Sequence, residues 1–201
     1  EKAFEYDQRN NKLFAGSDSV RAGYFEVTFP VPLDISYSNN SGIINLYAAS
    51  ETGVEGQGYF ENFVVGGTAP DALETDSLGP KIWLYLNNPD FQAGGVVNST
   101  PYLYAEITDE EGINATGNSI GHDIMVSIDN SPLYTYVLNE YFQLASGTYS
   151  KGMVRYQFES LPEGEHTLYF TAWDTKNNSS VYQLPFQVSS AAAPAVNRLS
   201  C

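Results

Sequence analysis

The sequence predicts an all-β protein, and two observations carry that prediction. Runs rich in β-branched and aromatic residues alternate with polar ones along most of the chain, and clusters of Gly, Pro and Asn separate them. No ten-residue stretch keeps its apolar side chains at helical spacing. The expected architecture is a two-sheet sandwich preceded by a partial β-sandwich segment.

The elements follow in order. Gly23–Phe29 (GYFEVTF), Gly42–Ala48 (GIINLYA) and Gly58–Val65 (GYFENFVV) read as strands of the first segment, residues 1–66. They are too few to close an independent core, so 1–66 reads as the C-terminal part of a sandwich module, with its missing strands expected before Glu1. The opening EKAFEYDQRNNKLF reads as mid-protein. Residues 67–79 are polar, rich in Gly and Pro and without apolar periodicity, which predicts a linker. Strands are then expected at Pro80–Asn87, Pro101–Thr108, His122–Asp129, Leu133–Asn139, Met153–Glu159, His166–Asp174 and Val181–Val188. Leu138–Ala145 (LNEYFQLA) reads as one helical turn. Short strands at this spacing suit an immunoglobulin-like β-sandwich over residues 80–189. Its expected core holds Leu84, Leu103, Ile107, Val126, Val154, Leu168 and Phe170. Residues 190–201 read as a truncated linker.

Charge narrows the partners. Glu and Asp outnumber Lys and Arg by 24 to 9, a formal charge of −15. The excess is even: residues 1–77 hold 12 acids and 4 bases, and residues 78–201 hold 12 and 5. With no basic stripe, nucleic acid and anionic membrane are poor partners. Aromatic residues make up 14% of the chain, enough for a packed core. Cys201 cannot form an internal disulfide, and nothing positions it as a nucleophile.

Two stretches hold chemistry-bearing residues. In GEHTLYFTAWDTKNNSS, His166 falls on the core face with Leu168, Phe170 and Ala172, where its polar tip can reach the preceding turn. Asp174 begins a turn, and its carboxylate is also a calcium candidate. In TDEEGINATGNSIGHDI, Asp109, Glu110, Glu111 and Asp123 offer hard oxygen ligands, although the spacing is not that of an EF-hand. Glycines 112, 117 and 121 equally suit a long loop. His122 and Asp123 resemble part of a catalytic dyad, but no activated nucleophile accompanies them. The residues thus name no catalytic site and no cofactor, and leave only weak calcium candidates at Asp109, Glu111, Asp123 and Asp174.

Longer runs carry a resemblance. GPKIWLYLNNPDFQAGGVVNSTPYLYAEITDEEGIN, GNSIGHDIMVSIDN, YVLNEYFQ and YSKGMVRYQFESLPEGEHTLYFTAWDTKNNSS closely resemble the C-terminal β-sandwich region of the type IX secretion system sortase family. Those are gingipain-type cysteine peptidases, and the similarity runs from about Phe4 to Val188. The resemblance implies a cell-surface, outer-membrane-associated parent from Bacteroidota that removes C-terminal sorting signals and joins cargo to lipopolysaccharide. It implies that the peptidase domain lies upstream, since no residue here matches its catalytic His or Cys. The expected role is a non-catalytic docking region, whose partners are the outer-membrane components of the system and the peptidase domain. Self-association through residues 1–66 is expected from unpaired strand edges. The alternative is a carbohydrate-binding sandwich, which an exposed aromatic row would favour.

Overall fold

In a computed structural model, the residues described are 12–35, 40–67, 76–117 and 121–192. Among the described residues the regular structure is two 3₁₀ turns, Pro132–Tyr134 and Asn139–Tyr141, and eleven strands: β1 Ile44–Ala49, β2 Glu55–Phe60, β3 Lys81–Leu86, β4 Val96–Val97, β5 Tyr102–Thr108, β6 Met125–Ile128, β7 Thr135–Val137, β8 Phe142–Leu144, β9 Lys151–Gln157, β10 Gly164–Trp173 and β11 Ser179–Val188. The all-β prediction holds. No helix among the described residues is long and apolar enough to cross a membrane.

Strands β3 to β11 form two sheets, in the orders β3-β5-β9-β8 and β4-β11-β10-β6-β7. This is the immunoglobulin arrangement, with A-B-E-D in one sheet and G-F-C-C′ in the other. The A strand is split: β3 stays with β5, while β4 pairs parallel with the end of β11. The longest ladder runs between β10 and β11, from Gly164↔Val188 to Trp173↔Ser179.

Period-two alternation sends one set of side chains inward from each sheet. Leu84, Leu86, Leu103, Ala105, Ile107 and Val154 face Val126, Ile128, Leu168, Phe170, Ala172 and Phe186. All seven expected core residues are buried, from 0% to 4% exposed. Full burial of a Leu or Phe stabilises the fold by about 1.5–3 kcal/mol, so this face dominates the stability of the sandwich.

Residues 138–145 depart from the expectation. A 3₁₀ turn, Asn139–Tyr141, leads into the edge strand β8. The apolar residues Phe142 and Leu144 are two apart, a strand period, and both pack toward the core. Gly152 opposite Leu144 makes this possible, because a Cβ there would lie 2.3 Å from the Phe142 ring.

The first segment differs most. Of its three expected strands, two form a hairpin, β1 with β2, and the second begins at Glu55 rather than Gly58. All twelve hairpin residues are exposed. Gly23–Phe29 is not a strand: beyond an isolated bridge between Arg21 and Tyr24 it has no ladder. Pro30 and Pro32 follow it, and neither can donate to a ladder. Residues 12–35 instead run as a strap on the sandwich. The Gly147 N–H donates to the Ser17 carbonyl at 2.8 Å, and the Leu33 N–H donates to the Thr175 carbonyl at 2.9 Å. Phe14 and Phe29 stack with centroids 4.4 Å apart. Pro30 seats against Gly112, whose φ of +98° and missing Cβ admit it; a Cβ there would meet the Pro30 ring at 2.5 Å.

Candidate functional site

Two of the acidic residues singled out by sequence, Asp109 and Asp174, come together near the point where the strap meets the sandwich. Three segments converge there: the loop after β5, the turn between β10 and β11, and the chain entering β3. Asp109 leaves β5, Asp174 ends β10, and Asp76 lies ahead of β3. Their carboxylates offer oxygens all within 4.8 Å of one another.

Each carboxylate also organises its own turn. Asp174, fully buried, accepts the Lys176 N–H at 2.8 Å, the Asn178 N–H at 2.7 Å and the Asn178 side-chain amide at 2.7 Å. The Asn178 amide also donates to the Asp76 carbonyl at 3.2 Å, tying the entry to β3 to the β10–β11 turn. Asp109 accepts the Glu111 N–H at 2.8 Å, and Asp76 accepts the Leu78 N–H at 3.1 Å. The expectation that Asp174 begins a turn is met.

Burial raises the Asp109 pKa to about 6, and the negative charges of Asp174, Asp76 and Glu111 push the same way, against the bond from the Glu111 N–H. Three hard oxygen donors this close can supply part of the shell of six to eight oxygens that calcium takes, carbonyls or water supplying the rest. The cluster contains two of the four calcium candidates, Asp109 and Asp174. Glu111 lies outside it, its carboxylate 3.9 Å from the Lys176 ammonium. Asp123 also lies outside it, near the Asn139 amide and Gly117. Asp76 lies in the stretch expected to be a linker, and no local pattern reveals its meeting with Asp109 and Asp174, 33 and 98 positions away.

His122 does not form a dyad with Asp123. Its Nδ1 lies 2.7 Å from Oδ2 of Asp34, a strap residue, and its ring packs on Trp173 with centroids 4.2 Å apart. Asp34 also accepts the buried Asn114 amide at 3.1 and 3.2 Å. His122 therefore fastens the strap. Asp34 escaped the sequence reading because its partner is 88 residues away.

His166 sits as expected at the mouth of the core. Its Nδ1 pairs with Asp129 at 2.7 Å and its Nε2 with the Pro162 carbonyl at 3.0 Å. Cys201, residues 193–200 of the tail and residues 68–75 of the linker lie outside the described residues.

Fold and site together define an immunoglobulin-like sandwich module held to a preceding segment by a strap. No family model matches the chain, and no curated protein does. A crystal structure of dimeric latent PorU from Porphyromonas gingivalis is similar, with 38% identity over 83% of this chain and a TM-score of 0.59. The chain is a PorU-related region and spans 16% of that PorU chain. An endo-beta-1,4-mannanase from Thermotoga petrophila overlaps at 10% identity and a TM-score of 0.36, covering 54% of this chain and 20% of its own, too distant to support any argument.

Proposed function

We propose that this chain is a non-catalytic docking region of a type IX secretion system sortase at the outer-membrane surface of a bacterium of the Bacteroidota. The 38% identity to PorU over most of the chain carries this reading. The roles of the two histidines support it, since one fastens the strap and the other ties the β10 entry to the turn at Asp129. The partners in this reading are the peptidase domain of the same polypeptide and outer-membrane components of the system. The hairpin β1–β2, exposed on both faces, is the proposed surface for self-association. The similar PorU is dimeric.

The test is to replace this region in the parent protein by an unrelated sandwich of equal length. Cleavage of a soluble sorting-signal peptide should persist, while the protein and its processed cargo should no longer be retained at the outer membrane. Unchanged retention and cargo processing would refute the docking role. Loss of soluble-peptide cleavage by a folded chimaera would refute the non-catalytic one.

A further inference from the structure

We propose that the outer face of the β3-β5-β9-β8 sheet is a docking site for an acidic peptide segment. The inference rests on this face alone and does not depend on the relation to PorU.

Alternation places Lys81, Trp83 and Tyr85 of β3 outward beside Tyr104 and Glu106 of β5. Lys151, Met153 and Arg155 of β9 continue the surface. Trp83 is half exposed, unusual for so large an aromatic away from a core. Trp, Tyr, Met and Arg are the residue types that concentrate at binding hot spots, whereas a purely solvated sheet face carries charged and small polar side chains. Three of the nine cations in a chain of formal charge −15 lie here against one carboxylate, Glu106, which pairs with Lys151 at 2.9 Å and leaves Lys81 and Arg155 as the positive excess. The face is locally positive on an acidic protein, so the complementary ligand is acidic.

Size and ring geometry define the ligand further. Three strands of six or seven residues cover roughly 23 by 14 Å, or about 330 Å². A stable globular partner needs about 800 Å² per side. The face therefore fits a segment of chain. A saccharide would need free ring faces to stack against, and Tyr85 and Tyr104 each give one face to the other. Tyr85 and Tyr104 stack on each other at 4.9 Å, 16° from parallel, and Arg155 lies over the Tyr104 ring at 5.8 Å. Beside them stand hydroxyl edges, a guanidinium and an indole T-shaped to both tyrosines. That set suits carboxylates on Arg155 and Lys81, with an apolar or aromatic side chain on Trp83.

The test uses the full chain and a fluorescein-labelled random copolymer of Glu and Tyr, followed by anisotropy at low salt. Saturable binding is expected, weakened at least tenfold in Arg155→Glu and in Trp83→Ala. Glu106→Gln should bind several-fold more tightly, an outcome that damage to the fold would not produce. Urea unfolding of each variant checks that the sandwich persists. The proposal is overturned by absence of saturable binding, by equal affinities across the three variants, or by polygalacturonate binding as tightly with the same variant pattern, which would make the site a saccharide platform.

Discussion

Removing the Asp34 carboxylate tests whether the strap is a fastened part of the fold. In Asp34→Ala, His122 loses its 2.7 Å partner and the Asn114 amide loses its acceptor. Asn114 is fully buried, so its unsatisfied donor costs about 1–3 kcal/mol. The bond from His122 to an ionised acceptor contributes about 1.5–3 kcal/mol, at the low end here because 23% of the His122 side chain stays open to water. The sum, about 2.5–4.5 kcal/mol, falls first on strap attachment, because the strap can lift while the sandwich stays folded. The Leu33 amide, bonded to Thr175, is the reporter. At about 1.4 kcal/mol per factor of ten, its hydrogen exchange should accelerate about 60- to 1,600-fold. Core amides of β10 should change far less. Leu33 exchange within twofold of the parent would mean that the Asp34 cluster does not hold the strap.

Three further outcomes follow from the same geometry. Phe170→Ala should cost roughly 3–5 kcal/mol in urea unfolding, since Phe170 is fully buried at the centre of β10 and leaves a cavity; a loss under about 1 kcal/mol would refute the core assignment. Gly152→Ala should cost about 1–3 kcal/mol by overpacking against Phe142 and the Gln143 carbonyl and should release β8, read as faster exchange of its amides. Asp109, with its pKa raised to about 6, binds its proton more tightly in the folded than in the unfolded chain, so its contribution to stability is complete below about 3.8 and lost as pH rises through about 6. Asp109→Asn should flatten that slope and millimolar calcium should reduce it by competing with the proton, whereas an unchanged slope in the variant would refute the assignment.

The sandwich was legible in the sequence because alternation and turn residues act over a few positions. His166, Leu168, Phe170 and Ala172 lie on one face wherever that strand pairs, so burial of Leu168 and Phe170 needs no tertiary knowledge. The departures come from longer range. Gly23–Phe29 alternates as well as any strand, yet an alternating run needs a ladder partner, and among the described residues this one has only the Arg21–Tyr24 bridge. Asp109 and Asp174 were visible as oxygen donors, while Asp76 joined them only through the fold. His122 next to Asp123 suggested a local pair, but a strand-entry turn points neighbouring side chains apart, and a strap aspartate met the histidine instead.

The contacts of the chain before β3 fall largely at one end and one side of the sandwich. Leu33 bonds the β10–β11 turn, Asp34 bonds the loop after β5 and the approach to β6, and Asp76 joins the Asp109–Asp174 cluster. These contacts are polar and directional, whereas those inside the sandwich are apolar and diffuse. That division has a mechanical consequence. Apolar burial keeps the sandwich folded whether or not the strap is seated, while a handful of hydrogen bonds and the seat of Pro30 on Gly112 fix how the strap approaches it. Perturbing Asp34 or Asp109 should therefore change how the preceding segment is held more than it changes the sandwich core. The outer face of β3-β5-β9-β8 carries none of these anchors, so strap attachment and peptide docking can be perturbed separately: Arg155→Glu should leave Leu33 exchange as it is, and Asp34→Ala should leave copolymer binding as it is.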